Sequence, residues 1–286
     1  GGGKPRGDRE NVLRAIRRAT PLRTATLARR APGGSRWRLD ERQGAPQYVV
    51  EYTPHYLVLG DVRSKICATL ALGGADCNSA KYVAALRDPS KRAYSQYVMK
   101  THMRISMYND RRTFGQAIAA GMRQTKSYAA CWDKALSFKN GTGARAAAVA
   151  SSRKDDVLAA AKSCAASKFH GNLYQAYVLK SAYYYQLLPW YAAMPGRVHV
   201  LTLERLDADA LKNLVENFLG LPFLGSREAY KTLGQVEGLV TAKRNAARDG
   251  GATSLGDEDR ATLDDFYRPM NRKLDALLGF ATGYPT

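Results

Sequence analysis

The chain has 286 residues, a mass of 31.4 kDa, 45% hydrophobic residues and a formal net charge of +19 at pH 7. That size and apolar content allow one large cored domain or two small ones, and no run reaches the roughly 18 apolar residues of a membrane span. The basic excess favours an anionic partner: nucleic acid, a phosphate-bearing cofactor, an acidic polysaccharide or a membrane surface.

The excess is uneven, with twelve Lys/Arg against four Asp/Glu in residues 1–50. Residues 1–46 are rich in Gly, Arg and Ala around "APGGSR" and lack a sustained apolar period. They are expected to form a poorly ordered basic segment with at most a short helix at 10–18. No secretory apolar region is visible and the chain starts at Gly1, which fits a fragment of a longer protein. A folded domain is expected over 47–286.

"QYVVEYTPHYLVLG" carries a short apolar strand and a Thr-Pro break, and "SKICATLALG" reads as an apolar helix. Tyr82 to Leu86 form a continuous apolar run, which suits a strand covered on both faces. Asp88 is a good N-cap, and Pro89 falls at the first helical position, where its missing N–H costs nothing. Tyr94, Tyr97, Val98 and Thr101 then recur at helical spacing, while Asp88, Arg92 and Ser95 fall on another face. The stretch reads as strand, turn and helix, gathering Arg87, Ser95 and free helix amides into a candidate anion site.

Residues 101–180 read as mostly helical, with a helical insertion at about 103–168. It includes a loop holding the Asn140-Gly141-Thr142 glycosylation sequon. "LKSAYYYQLLPWYAAMPG" is an aromatic helix ended by Pro-Gly, and "RVHVLTLERL" is a strand. In "DADALKNLVENFLGLP", Leu211, Leu214, Val215, Phe218 and Leu219 share a helical face, with Asp207 or Asp209 as cap and Gly220 as stop. Leu263, Phe266, Met270, Leu274, Leu277 and Leu278 form a last stripe, kinked near Pro269 and stopped at Gly279. Strands alternating with helices predict an α/β domain with a largely parallel sheet, whose ligands sit at the carboxyl ends of the strands, where Arg87 falls. Cys67, Cys77, Cys131 and Cys164 show no zinc spacing, so no metal is expected. A Cys67–Cys77 disulfide and four buried thiols are equally compatible with the sequence.

Taken together, five segments carry a resemblance. "LRDPSKRAYSQY" resembles the 3′-phosphate-binding strand and helix of sulfotransferases that use PAPS (3′-phosphoadenosine 5′-phosphosulfate), closest to the Golgi heparan-sulfate type and its algal and bacterial relatives. "VEYTPHYL" is similar to the family's Glu-Lys-Thr-Pro-x-Tyr segment. "SAYYYQLLPWYAAMPGRVHVLTLERL" is similar to its helix, Pro-containing turn and strand ending in Glu, and "LKNLVENFLGLPF" and "FYRPMNRKLDALLG" to two further helices in order. The likeness runs from about Val50 to Gly279, with a gap at 103–168.

The resemblance implies a three-layer α/β fold of the P-loop-NTPase-like kind, a largely parallel central sheet flanked by helices. It implies transfer of a sulfuryl group from PAPS to a carbohydrate hydroxyl, releasing PAP, in the Golgi lumen or secretory pathway, with any membrane anchor outside these residues. Arg87 and Ser95 would hold the 3′-phosphate, where a planar guanidinium fork does better than a lysine. Lys243 and Arg244 fall in a basic loop where relatives close over the cofactor. Glu51 ends a strand beside the expected cleft and is the candidate catalytic group, with His55 as another possible base. Arg111 and Arg112, with Lys126 and Arg145, lie where an anionic polysaccharide would be bound. Tyr183, Tyr184, Tyr185 and Trp190 offer sugar-stacking faces or, at helical spacing, core; Glu204 reads as structural.

The chain departs from the family at the 5′-phosphosulfate. "GGGKPRGD" fails the GxxxxGK[ST] pattern, which argues against an ordinary nucleotide kinase, and the family's lysine before Thr-Pro is Tyr52 here. That half of the site is expected to lie before Gly1 or to have diverged. The alternatives are a non-catalytic relative that keeps only the 3′-phosphate pocket, or a basic nucleic-acid-binding protein; no helix-turn-helix, zinc or RNA-binding signature favours the last.

Overall fold

A computed structural model describes residues 56–59, 62–72, 76–101, 110–136, 153–220 and 255–286. The segment 1–46, Glu51, His55, the sequon, Arg145, Lys243 and Arg244 lie outside the described residues. The chain divides into two units, one of Gly1–Pro54 with Ile66–Cys77 and the other of His55–Lys65 with Asn78–Thr286. In the first, a disulfide joins Cys67 to Cys77. Helix α1 spans Val62–Leu72.

The second unit is mostly helical around a small parallel sheet. Strand β1 (Tyr82–Leu86) leads through Arg87 and Asp88 into helix α2 (Pro89–Thr101). Then come α3 (Phe114–Leu136), α4 (Lys154–Ser163), α5 (Tyr183–Ala193) and β2 (Val198–Thr202). Helix α6 (Ala208–Lys212) continues as a π-helix over Asn213–Leu219, and α7 (Asp257–Leu278) follows. Among the described residues the sheet has two strands, paired parallel from Tyr82 opposite Val198 to Leu86 opposite Thr202. Both carboxyl ends therefore open on the same edge. None of the described helices is long and apolar enough to cross a membrane.

The boundaries follow local chemistry. The Asp88 carboxylate accepts from the Lys91 amide at 2.9 Å, with Pro89 as the first helical residue. Asp207 caps α6 by accepting from the Ala210 amide at 2.8 Å. Gly220 and Gly279 end their helices at φ of 72° and 76°, the left-handed conformation that glycine adopts without a Cβ penalty. The stretch 213–219 departs from the expected α-helix because a 3.6-residue apolar rhythm, over two turns, does not distinguish i→i+4 from i→i+5 bonding. Its last carbonyls, of Phe218 and Leu219, accept from the Lys81 ammonium just before β1 at 2.5 and 3.1 Å.

Helix α5 is buried almost all round, which makes it the central helix, and Pro189 sits inside it. Tyr183, Tyr184, Tyr185 and Trp190 all belong to this buried set and offer no open stacking face. Burying each such side chain contributes about 1.5–3 kcal/mol. Against them pack Leu263, Met270, Leu274 and Leu277 of the predicted α7 stripe together with Tyr267, which the stripe did not include, while its Phe266 and Leu278 are only partly buried. Helices α3 and α4 lie within the stretch expected to be an insertion, yet they supply core: Trp132, Leu136 and Val157 are at most 2% exposed. A disulfide that the sequence did not indicate, Cys131–Cys164, ties α3 to the end of α4. Gly121 lets α3 approach the 176–179 segment, since a Cβ there would stand 2.7 Å from Val178 Cγ2.

Candidate functional site

The shared carboxyl edge of β1 and β2 is where sequence and fold converge. The Tyr183 hydroxyl donates to the Arg87 carbonyl at 2.9 Å and fixes the chain as it leaves β1. The Asp88 amide donates to Glu204 Oε1 at 2.8 Å, tying the end of β1 to the turn after β2. Asp88 Oδ2 pairs with Arg260 of α7 at 3.3 Å, and the Ser90 hydroxyl donates to Asp264 at 2.5 Å. Arg260 also pairs with Asp264 at 3.3 Å. Glu204 is thus a structural acceptor, as its position implied.

This network corrects the expectation of a helix mouth rich in free amides. Pro89 has no N–H, Glu204 takes the Asp88 amide and the Asp88 side chain takes that of Lys91. Three carboxylates stand there against one guanidinium, so an anion would rest on side chains more than on the helix terminus. Substituting Asp88→Ala is expected to destabilise the fold by about 1 kcal/mol through the lost cap. Asp88→Asn should keep most of that stability in urea unfolding; equal losses for both would assign the effect to the Arg260 pair instead.

Arg87 is half-buried, and its guanidinium has no partner among the described residues. Ser95 is exposed on α2, about 9 Å along the axis from Pro89 by helical rise, and its hydroxyl is likewise unbonded. The structure leaves both groups free on the edge and the helix that follows it, without joining them directly. Of the proposed acceptor residues, Arg111 and Lys126 are exposed. Arg112 is committed: its Nε and Nη2 donate to Asp110 at 2.8 and 2.5 Å.

Asp110 is 5% exposed and also accepts from the Arg112 amide and from the Tyr177 hydroxyl at 3.0 Å. Burial alone would push its carboxyl up, but the hydrogen bonds from Arg112 and Tyr177 outweigh that and hold it below its ordinary value. Its folded value lies below its unfolded one, so its contribution is complete above the ordinary carboxylate value of about 3.9 and is lost as pH falls through the lowered folded value. In acid unfolding followed by circular dichroism, Asp110→Asn should lower stability at neutral pH and flatten the acid limb; an acid limb identical to wild type would contradict this account.

The sequence did not mark Lys180 or Lys100 as buried. Lys180 sits in a 3₁₀ turn (Leu179–Ser181) directly before α5, and both lysines are buried. The signal that existed was the spacing of Arg92, Gln96 and Lys100 at i, i+4 and i+8 on α2, a polar stripe on one helix face. No protein-family model, curated protein or solved structure matches the chain.

Proposed function

We propose that this chain is the 3′-phosphate-binding part of a PAPS-dependent sulfotransferase acting on a carbohydrate hydroxyl, with an anionic polysaccharide as acceptor. The observation that carries the reading is the β1–α2 junction. A parallel strand ends at an unpaired, half-buried Arg87, an Asp88-capped, Pro89-initiated helix follows, and Ser95 stands free two turns along it. A guanidinium with no carboxylate partner among the described residues, with an exposed hydroxyl further along the same helix, fits a phosphate monoester better than it fits a structural role.

On this reading the two described strands belong to the wider three-layer, P-loop-NTPase-like sheet that the resemblance implies. The acceptor hydroxyl oxygen attacks sulfur in line, the bond from sulfur to the 5′-phosphate oxygen breaks, PAP leaves and a base takes the hydroxyl proton. Arg87 and Ser95 fix the nucleotide so that its distant sulfuryl end is presented to the acceptor. Glu51 as base, and Lys243 and Arg244 as a cover over the nucleotide, remain assignments from the resemblance. The two disulfides support a secretory or Golgi-lumen setting, because such bonds persist in oxidising compartments.

The test has two arms. Calorimetry should show PAP binding more tightly than 5′-AMP, and incubation with labelled PAPS and a heparan-type polysaccharide should label the polymer. Binding without transfer would support the non-catalytic relative. Equal affinity for PAP and 5′-AMP would sink both, and salt-dependent DNA retention that survives Arg87→Ala would favour the nucleic-acid reading.

A further inference from the structure

The peptide unit between Arg87 and Asp88 is held at both ends. Its carbonyl accepts from the Tyr183 hydroxyl at 2.9 Å, and its N–H donates to Glu204 Oε1 at 2.8 Å. A peptide unit is planar and its two polar groups point apart, so two such partners fix its tilt. That tilt sets ψ of Arg87 and φ of Asp88, and the Arg87 Cα–Cβ bond takes its direction from the same backbone. The two posts do not stand equally firmly. Tyr183 is 4% exposed and belongs to the core. Glu204 is exposed, and a solvated carboxylate exchanges an amide partner for water at little cost. Packing has to keep it on the Asp88 amide.

That packing comes from residues 280–286, which follow α7 and turn back along it. The Thr282 amide and hydroxyl donate to Asp275 Oδ1 at 2.9 and 2.7 Å. The Pro285 carbonyl accepts from Asn271 Nδ2 at 2.8 Å, and the Thr286 carbonyl from Arg268 Nη1 at 3.3 Å. The Ala281 carbonyl accepts from Arg205 Nη1 at 2.6 Å, which ties the segment to the residue after Glu204. Gly283 passes close over the same guanidinium: its φ is 83°, and a Cβ there would stand 3.3 Å from Arg205 Nη2.

These contacts deliver Tyr284 to both posts. Its ring centroid lies 6.5 Å from that of Tyr183, within the range of aromatic pairs. Its hydroxyl is buried against the Glu204 carboxylate without reaching hydrogen-bond geometry. Burial raises the pKa of that hydroxyl, and Tyr183, Glu204 and Asp88 raise it further, so it stays neutral among the carboxylates. No side-chain hydrogen bond accounts for the burial of Tyr284. Its ring does, by packing against Tyr183 and Glu204 together.

We infer that Tyr284 is a positioning residue for Arg87: the strap 280–286 holds its ring against Tyr183 and Glu204, and through them sets the peptide unit from which the Arg87 guanidinium is presented. The effect on the peptide unit stands by itself; its consequence for ligand binding rests on the 3′-phosphate reading of Arg87.

The experiment reads these two separately in the full chain. Amide hydrogen exchange followed by NMR without ligand reports on the peptide unit. Tyr284→Ala is expected to speed exchange of the Asp88 amide about tenfold or more through local opening. The Tyr82 amide, which donates to the Arg197 carbonyl at the other end of β1, should stay within twofold of wild type. Tyr284→Phe should match wild type at both, because the hydroxyl has no hydrogen bond to lose. Calorimetry reports on the ligand: Tyr284→Ala should weaken PAP roughly fivefold and leave 5′-AMP unchanged, and Tyr284→Phe should restore PAP. Asp88 exchange in Tyr284→Ala within twofold of wild type overturns the inference. So does equal acceleration at Asp88 and Tyr82, which is general loosening. A Tyr284→Phe that behaves as the alanine variant overturns the ring as the positioning group. Should Tyr284→Ala fold poorly, Gly283→Ala displaces the strap from Arg205 with Tyr284 in place, and the same selective rise at Asp88 is expected; its absence there overturns the inference equally. Faster Asp88 exchange with unchanged PAP affinity, in a wild type that separates PAP from 5′-AMP, overturns the link to Arg87. A wild type that binds PAP and 5′-AMP alike removes the 3′-phosphate reading, and the exchange rates then decide the role of Tyr284 alone.

Discussion

Arg87→Ala is expected to weaken PAP binding roughly 10- to 100-fold, because a hydrogen-bonded pair involving a charged group contributes about 1.5–3 kcal/mol and each 1.4 kcal/mol is a factor of ten. The substitution should leave the fold intact. Among the described residues, the side-chain hydrogen bond that reaches position 87 goes to its backbone carbonyl, which accepts from the Tyr183 hydroxyl and survives in alanine. The effect should be confined to the 3′-phosphate: the variant should bind PAP and 5′-AMP alike, whereas wild type separates them. Arg87→Lys should recover part of the loss, since an ammonium supplies the charge without the planar fork. Ser95→Ala should cost less, because an exposed hydroxyl exchanges one solvent hydrogen bond for another. A PAP affinity in Arg87→Ala within twofold of wild type would remove the site.

Removing the Cys131–Cys164 disulfide is expected to have the larger effect on stability. The two cysteines are 33 residues apart in sequence, and closing a loop of that length restricts the unfolded chain by about 4 kcal/mol. The Cys67–Cys77 bond, separated by 10, should contribute about 3 kcal/mol on the same basis. A marginally stable domain loses much of its folding free energy at the first of these. Cys131→Ala/Cys164→Ala is therefore expected to shift the urea midpoint further than Cys67→Ala/Cys77→Ala, and reduction of wild type should exceed either alone. Cys164 is 1% exposed, so part of the loss will come from the small cavity its replacement leaves. The comparison is sharpened by alkylating the native protein under denaturing, non-reducing conditions: four labelled thiols in the mass spectrum would show that neither bond forms.

The sequence by itself determined the elements whose causes are local. The bounds of β1, the Asp88 cap with Pro89 behind it, a cap at Asp207 or Asp209, between which the structure selects Asp207, and the stops at Gly220 and Gly279 each depend on a residue type acting within about one turn of chain. The stripe of α7 is equally legible, because an amphipathic period states which face will be buried without saying against what. The resemblance that gave Arg87 and Ser95 a role drew on the same short signals in order along the chain. Only the tertiary structure decided what joins residues far apart. The Asp88 amide meets Glu204 across 116 positions, and Ser90 meets Asp264 across 174. Cys131 finds Cys164 because α3 and α4 pack side by side, which no cysteine spacing announces. Lys180 is the plainest case. In the chain it is one lysine before an aromatic run, indistinguishable from a solvated one. Its burial, and the exhaustion of Asp110 by Arg112 and Tyr177, arise when α2, the Leu173–Gln175 and Leu179–Ser181 turns and residues 110–112 come together. Pattern along a chain encodes which face is apolar; the balance of charge inside a fold depends on which distant residues share the space, and packing alone sets that.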